Sequence, residues 1–208
     1  MRFCAIALPA LSSFLLFHGV PWQDPQGRRS GDALAERARE EFREHKYQAA
    51  ERDFRALTRR DPSNVYAQLF LGQCLFAQQK YVDASTSFEE ARELEEKHAV
   101  LSLDQKRILG DQLAMAYGMA GQPKKARVVI EEAIRRDPDY ALNYYNLACA
   151  FAELGERDRM LVNISLAFKH KEHMLQGEQL PDPRSDQSFQ KYLQDKQFIK
   201  LMNELGFK

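Results

Sequence analysis

Apolar residues recur along this chain at helical spacing, in large and small pairs, and that pattern predicts packed helices rather than strands. In LGQCLFAQQKYVDASTSFEEA, the residues Leu71, Gly72, Leu75, Ala84, Phe88 and Ala91 mark two short helices joined by a polar turn. The same ruler fits three further segments. Residues 31–64 carry Ala38, Phe42, Tyr47, Ala50, Phe54, Leu57 and a closing Pro62. Residues 107–140 carry Leu113, Ala114, Tyr117, Gly121, Ala126, Ile130, Ala133 and Pro138, and residues 141–174 carry Tyr144, Leu147, Ala148, Phe151, Gly155, Ile164 and Ala167. Equivalent positions lie 34 residues apart, as from Ala50 to Ala84, except that Ala84 to Ala126 spans 42. The surplus of eight falls at about 95–104. Because FEEARELEEKHAVLSLDQKR lacks Gly and Pro and is rich in helix formers, it is expected to lengthen the flanking helices and project beyond them.

Leu-Gly, a further apolar residue and then Ala-x3-Phe, at a 34-residue period, resemble the tetratricopeptide repeat. The resemblance implies an all-α fold: a right-handed superhelical solenoid of about four helical hairpins over 31–176 (31–64, 65–98, 107–140 and 141–174). Ala50, Ala84 and Ala126 are the small residues that let neighbouring helices approach. A single hairpin cannot bury its apolar stripe, so the hairpins stack into one domain. The chain departs from the family at Glu41, where an aromatic is usual and Phe42 substitutes, and at Met160, which replaces a small residue and implies looser packing. After Pro181 and Pro183, residues 177–208 place Phe189, Tyr192, Leu193, Phe198, Leu201, Met202 and Leu205 at helical spacing. Solenoids need their last repeat covered, so this segment is expected to form capping helices at the end of the stack, with Ser185 or Asp186 as an N-cap.

The N-terminus differs in kind. Residues 1–22 hold one Arg and an uncharged apolar run from Phe3 to Phe17, the pattern of a signal peptide, or of an uncleaved anchor given the poor cleavage site at Phe17 and Gly19. Residues 23–30 form a polar linker. The chain is therefore expected to be exported: periplasmic, secreted, or held at the inner membrane by that segment alone. Cys4 precedes the apolar run and does not resemble a lipoprotein acylation site.

With 30 basic and 30 acidic residues the formal charge is zero, which gives no global reason to expect nucleic acid or an anionic membrane as partner. Cys74 and Cys149 fall on first helices two repeats apart, too distant for a disulfide. His170 and His173, three residues apart, read as a basic helix end beside Lys169 and Lys171 rather than as metal ligands, and the acidic LEEKH stretch reads as a solvated face. The triplet Asn163-Ile164-Ser165 falls within a helix and is a poor glycosylation acceptor. No phosphate-cradling Gly loop or nucleophile motif is present, so no cofactor, metal or catalytic activity is expected.

Binding is the default. The resemblance implies a concave groove lined by first-helix residues: Arg39, Phe42 and Arg43 in repeat one, then Tyr66, Leu69, Gln73 and Phe76 in repeat two. Repeat three contributes Ile108, Asp111, Met115 and Met119, and repeat four Leu142, Tyr145, Cys149 and Glu153. Such a surface, apolar at its centre and basic at one end, suits a peptide or protein partner. Ala35, Gln73, Asp111 and Met115 stand where family members that hold chaperone C-terminal carboxylates carry Lys, Arg or Asn, so that clamp is absent. The alternative reading is structural, with copies stacking into a homo-oligomer or the anchor holding the domain at a membrane during complex assembly.

Overall fold

The computed structural model describes residues 32–207. Segments 1–22 and 23–30, read above as signal or anchor and linker, lie outside them. Every regular element among the described residues is helical, and they divide into two compact units at Ala116 and Tyr117. The N-terminal unit contains α1 (Ala33–Arg43), α2 (Tyr47–Arg60), α3 (Val65–Ala77), α4 (Tyr81–His98) and most of α5 (Leu103–Met119). The C-terminal unit holds α6 (Pro123–Arg136), α7 (Ala141–Leu154), α8 (Arg157–Lys169), 3₁₀ segments at Lys171–His173 and Gln187–Tyr192, and α9 (Lys196–Glu204).

Local chemistry sets the boundaries. Asp32 caps α1 by accepting from the Leu34 amide, and Asn64 caps α3 by accepting from the Ala67 amide. Ser102 and Gln105 form a reciprocal capping box at the start of α5: the Ser102 hydroxyl accepts from the Gln105 amide at 3.2 Å, and the Gln105 side chain accepts from the Ser102 amide at 2.9 Å. The surplus between repeats two and three is taken up as helix, since α4 has 18 residues and α5 17, against 13 in α3 and 14 in α2.

LEEKH is not uniformly solvated. Glu95 is buried, its carboxylate accepting from the amides of Val100 and Leu101 at 2.9 Å each and pairing with Lys106 at 3.0 Å. It ties the α4–α5 connection down, a role that an acidic run does not announce.

The turn inside each hairpin needs a left-handed residue. Gly121 and Gly155 supply it at φ 72° and 77°, but His45 and Gln79 occupy the equivalent places at φ 60° and 61°. A side chain in that conformation costs about 1 kcal/mol, which Gly avoids. Gln79 is exposed, so Gln79→Gly is expected to raise the urea midpoint of the N-terminal unit by about 1 kcal/mol in stability; a fall would show that the turn is not strained.

The small residues meet their expected fate: Ala50 and Ala84 are fully buried, as are Phe54 and Phe88 to within 1%. Phe42 stands in for the aromatic missing at Glu41. Its ring meets Phe70 edge-on at 5.3 Å, and Phe70 stacks on Phe54 at 5.3 Å. In the C-terminal unit Met160 has no exposed surface, so its flexible thioether fills the place of the small residue. Asn163 is buried and donates to the Arg159 carbonyl at 2.8 Å, which hides the glycosylation triplet.

Candidate partner-binding surface

The predicted groove positions separate by burial. Phe42, Tyr66, Leu69, Gln73, Ile108, Asp111, Tyr145 and Cys149 are buried. Arg39, Phe76, Met115, Met119, Leu142 and Glu153 are half-buried, and Arg43 is exposed.

Two of the buried members, Tyr66 and Gln73, bond to the segment that follows their hairpin. From α3, the Gln73 amide donates to the Gln112 side chain on α5 at 3.1 Å, and the Tyr66 hydroxyl donates to the Val100 carbonyl in the α4–α5 connection at 3.3 Å. These side chains hold one repeat to the next, so they are unavailable to a partner without disturbing the core. The basic end is partly neutralised, because Arg43 pairs with Glu40. Burial lowers the Arg39 guanidinium from its ordinary value, with the Glu36 charge acting against that shift.

In the C-terminal unit the corresponding face of α7 is covered by the chain's own tail. The Tyr145 hydroxyl donates to Asp186 at 3.1 Å, the Cys149 thiol lies 3.8 Å from the same carboxylate, and the Tyr192 hydroxyl donates to the Ala152 carbonyl at 3.3 Å. Phe189 meets the Tyr145 ring edge-on at 5.8 Å. Cys149 occupies in repeat four the place of Gln73 in repeat two, so Asp186 stands to α7 as Gln112 stands to α3. The expectation that Tyr145 and Cys149 contribute to a partner surface is thereby corrected. They are contacts of the 3₁₀ segment Gln187–Tyr192, which Asp186 caps by accepting from the Ser188 amide. The tail accordingly covers first-helix positions of repeat four as well as packing α9 on α8. Burial raises the Glu153 carboxyl above its ordinary value, opposed by nearby Lys191 and reinforced by Asp186.

His170 stacks on Tyr144 at 5.2 Å and lies 3.5 Å from Asp139, so it closes the last hairpin. Among the described residues no group of three or more His, Cys, Asp or Glu is placed to hold a metal, and no helix is long and apolar enough to cross a membrane. Sequence reasoning missed Asp186 as the tail's anchor on α7, and it missed Gln105 and Gln112. The Ser102-x-x-Gln105 spacing was the one local signal for Gln105.

Consecutive helical hairpins, with the first helices α3 and α5 bonded to each other, define a helical-repeat scaffold. Residues 35–97 match the tetratricopeptide repeat family model. Solved structures agree in fold. A MamA protein is 21% identical with a TM-score of 0.58, covering 67% of this chain and 72% of its own. MamA from Desulfovibrio magneticus RS-1, from residue 41 to its end, is 15% identical with a TM-score of 0.62, over 85% of this chain and 95% of its own. YrrB, described as a tetratricopeptide protein with an unusual peptide-binding site, is 12% identical with a TM-score of 0.59, covering 87% of each chain. At these identities the likeness is one of fold. No curated protein matches the sequence.

Proposed function

We propose that this chain is a non-catalytic scaffold that holds an extended or helical segment of a protein partner on its first-helix face. The family match over residues 35–97 carries this reading, since tetratricopeptide proteins are in general binding proteins rather than enzymes. The accessible anchors are narrower than the predicted set: Phe76 on α3 and Met115 on α5 are half-buried apolar side chains at groove positions. A preformed helical stack loses little conformational freedom on association, so a few such anchors suffice for affinity. Export supplies the setting, with residues 1–22 directing the chain to the envelope as a signal peptide or anchor, where it would assist complex assembly.

Panning a displayed random dodecapeptide library against the full chain tests the groove. Peptides with apolar residues at i and i+3 or i+4 are expected to be enriched, and their binding is expected to fall at least tenfold with Phe76→Ser/Met115→Ser. Equal binding by a variant that melts like the parent would remove the first-helix face from the mechanism.

A further inference from the structure

The charges of α2 are segregated. Its two acidic residues, Glu51 and Asp53, are buried at 5% and 3% exposure, while Arg52, Arg55, Arg59 and Arg60 are all exposed. Every charge that α2 shows to solvent is therefore an arginine, in a chain whose formal charge is zero. Three of these arginines, with Gln48, Gln78, Lys80 and the buried Glu51, line a cleft of about 310 Å³.

We propose that this cleft binds an acidic segment of a protein partner, the carboxylates of its Asp or Glu residues pairing with Arg52, Arg55, Arg59 and Lys80. This site is separate in residues from the first-helix face and stands or falls independently of it.

The buried acids position the cations. Glu51 pairs with Arg55, accepts from Lys80 at 2.9 Å and accepts from Gln78 at 2.7 Å, while Asp53 accepts from Arg52 at 3.2 Å. Burial acts to raise the Glu51 carboxyl, but the bonds from Lys80 and Gln78 and the Arg55 charge outweigh it and keep the group below its ordinary value. A guanidinium has five donors and an ammonium three, so these anchors use only part of each. The rest are available in a fork geometry that matches carboxylates. The lining sets four cations against Glu51, while Asp53 and Glu41 pair with Arg52 from outside it, so the cleft keeps an excess of positive charge carried chiefly by Arg55, Arg59 and Lys80. Arg52, Arg55 and Arg59 follow i, i+3, i+7 spacing along one helix face, about 10 Å in length. That length suits two or three carboxylates of a peptide. A duplex or a membrane surface would call for a broad basic face, and the balanced charge of the chain does not provide one.

Fluorescence anisotropy of labelled hexaglutamate with the full chain tests the site, with labelled hexalysine and anionic phosphatidylglycerol vesicles as comparison ligands. Hexaglutamate is expected to bind at about 20 mM salt and to weaken steeply towards about 200 mM, as charge screening requires. Arg59→Glu is expected to weaken it at least tenfold, and Arg52→Gln/Arg59→Gln, which introduces no repulsion, several-fold. Circular dichroism melts would show both variants folded. The proposal is overturned if hexaglutamate does not bind at low salt, if both folded variants bind it as the parent does, or if vesicles bind while hexaglutamate does not.

Discussion

Phe189→Ala is expected to destabilise the C-terminal unit by about 3–5 kcal/mol, the cost of deleting a fully buried aromatic ring that its surroundings cannot collapse to replace. Phe189 lies 5.8 Å from the Tyr145 ring and 6.1 Å from the Phe198 ring, so it joins α7 to α9 through the 3₁₀ segment. Its loss leaves a cavity lined by two large side chains that are themselves almost wholly buried. Urea unfolding followed by circular dichroism gives the magnitude, and amide hydrogen exchange gives the location, since protection should fall first in α7 and in 187–204. Ile199→Ala is the control: Ile199 is 42% exposed on the same α9, and its substitution should change stability by no more than about 0.5 kcal/mol. If Phe189→Ala costs no more than that control and leaves α7 protection unchanged, the tail is an appendage and not part of the unit's core.

The repeat was legible because its determinants are local and periodic. Ala50, Ala84, Phe54 and Phe88 recur at fixed intervals, and each is buried because helices approach most closely there. The candidate surface was less legible because core and groove share the same 3.6-residue period. Gln73 looks like a polar surface residue, yet it is buried by a bond to Gln112, 39 positions away, and no local pattern encodes that partner. Tyr145 and Cys149 were hidden for a related reason, because the residue that covers them, Asp186, belongs to an irregular segment whose docking depends on tertiary contacts. Glu95 and the arginines of α2 show the limit from the charge side. A buried acid that bonds two backbone amides is written with the same letter as the solvated acids beside it, and nothing in the run Glu51-Arg52-Asp53 announces that both acids are buried while Arg52 is exposed.

Gly72→Ala should destabilise the N-terminal unit by about 1–3 kcal/mol, the usual cost of overpacking, although Ala is intrinsically the better helix former by about 1 kcal/mol. A Cβ at Gly72 would stand 2.6 Å from both Cδ1 and Cε1 of Phe88 and 3.1 Å from its Cγ, so the fully buried Phe88 ring or one of the two helices must shift to admit it. The steric term exceeds the propensity gain, so the sign is a loss. Gly110, inside α5, gives the opposite sign in the same protein, since nothing lies within 4 Å of a Cβ there and Gly110→Ala should gain up to about 1 kcal/mol. A double-mutant cycle assigns the cause. Phe88→Ile alone should cost stability, but combined with Gly72→Ala the total loss should be smaller than the sum of the two, because the narrower side chain makes room for the methyl group. Repeats three and four already hold that combination at the equivalent positions, Ala114 with Ile130 and Ala148 with Ile164. Repeat one keeps Ala38 with Phe54, so the residue types alone do not forbid the pair; the close approach at Gly72 does. Urea midpoints for the two singles and the double decide the matter, and a stabilising Gly72→Ala, or additive effects in the cycle, would mean that α3 and α4 are not held together by contact at this glycine.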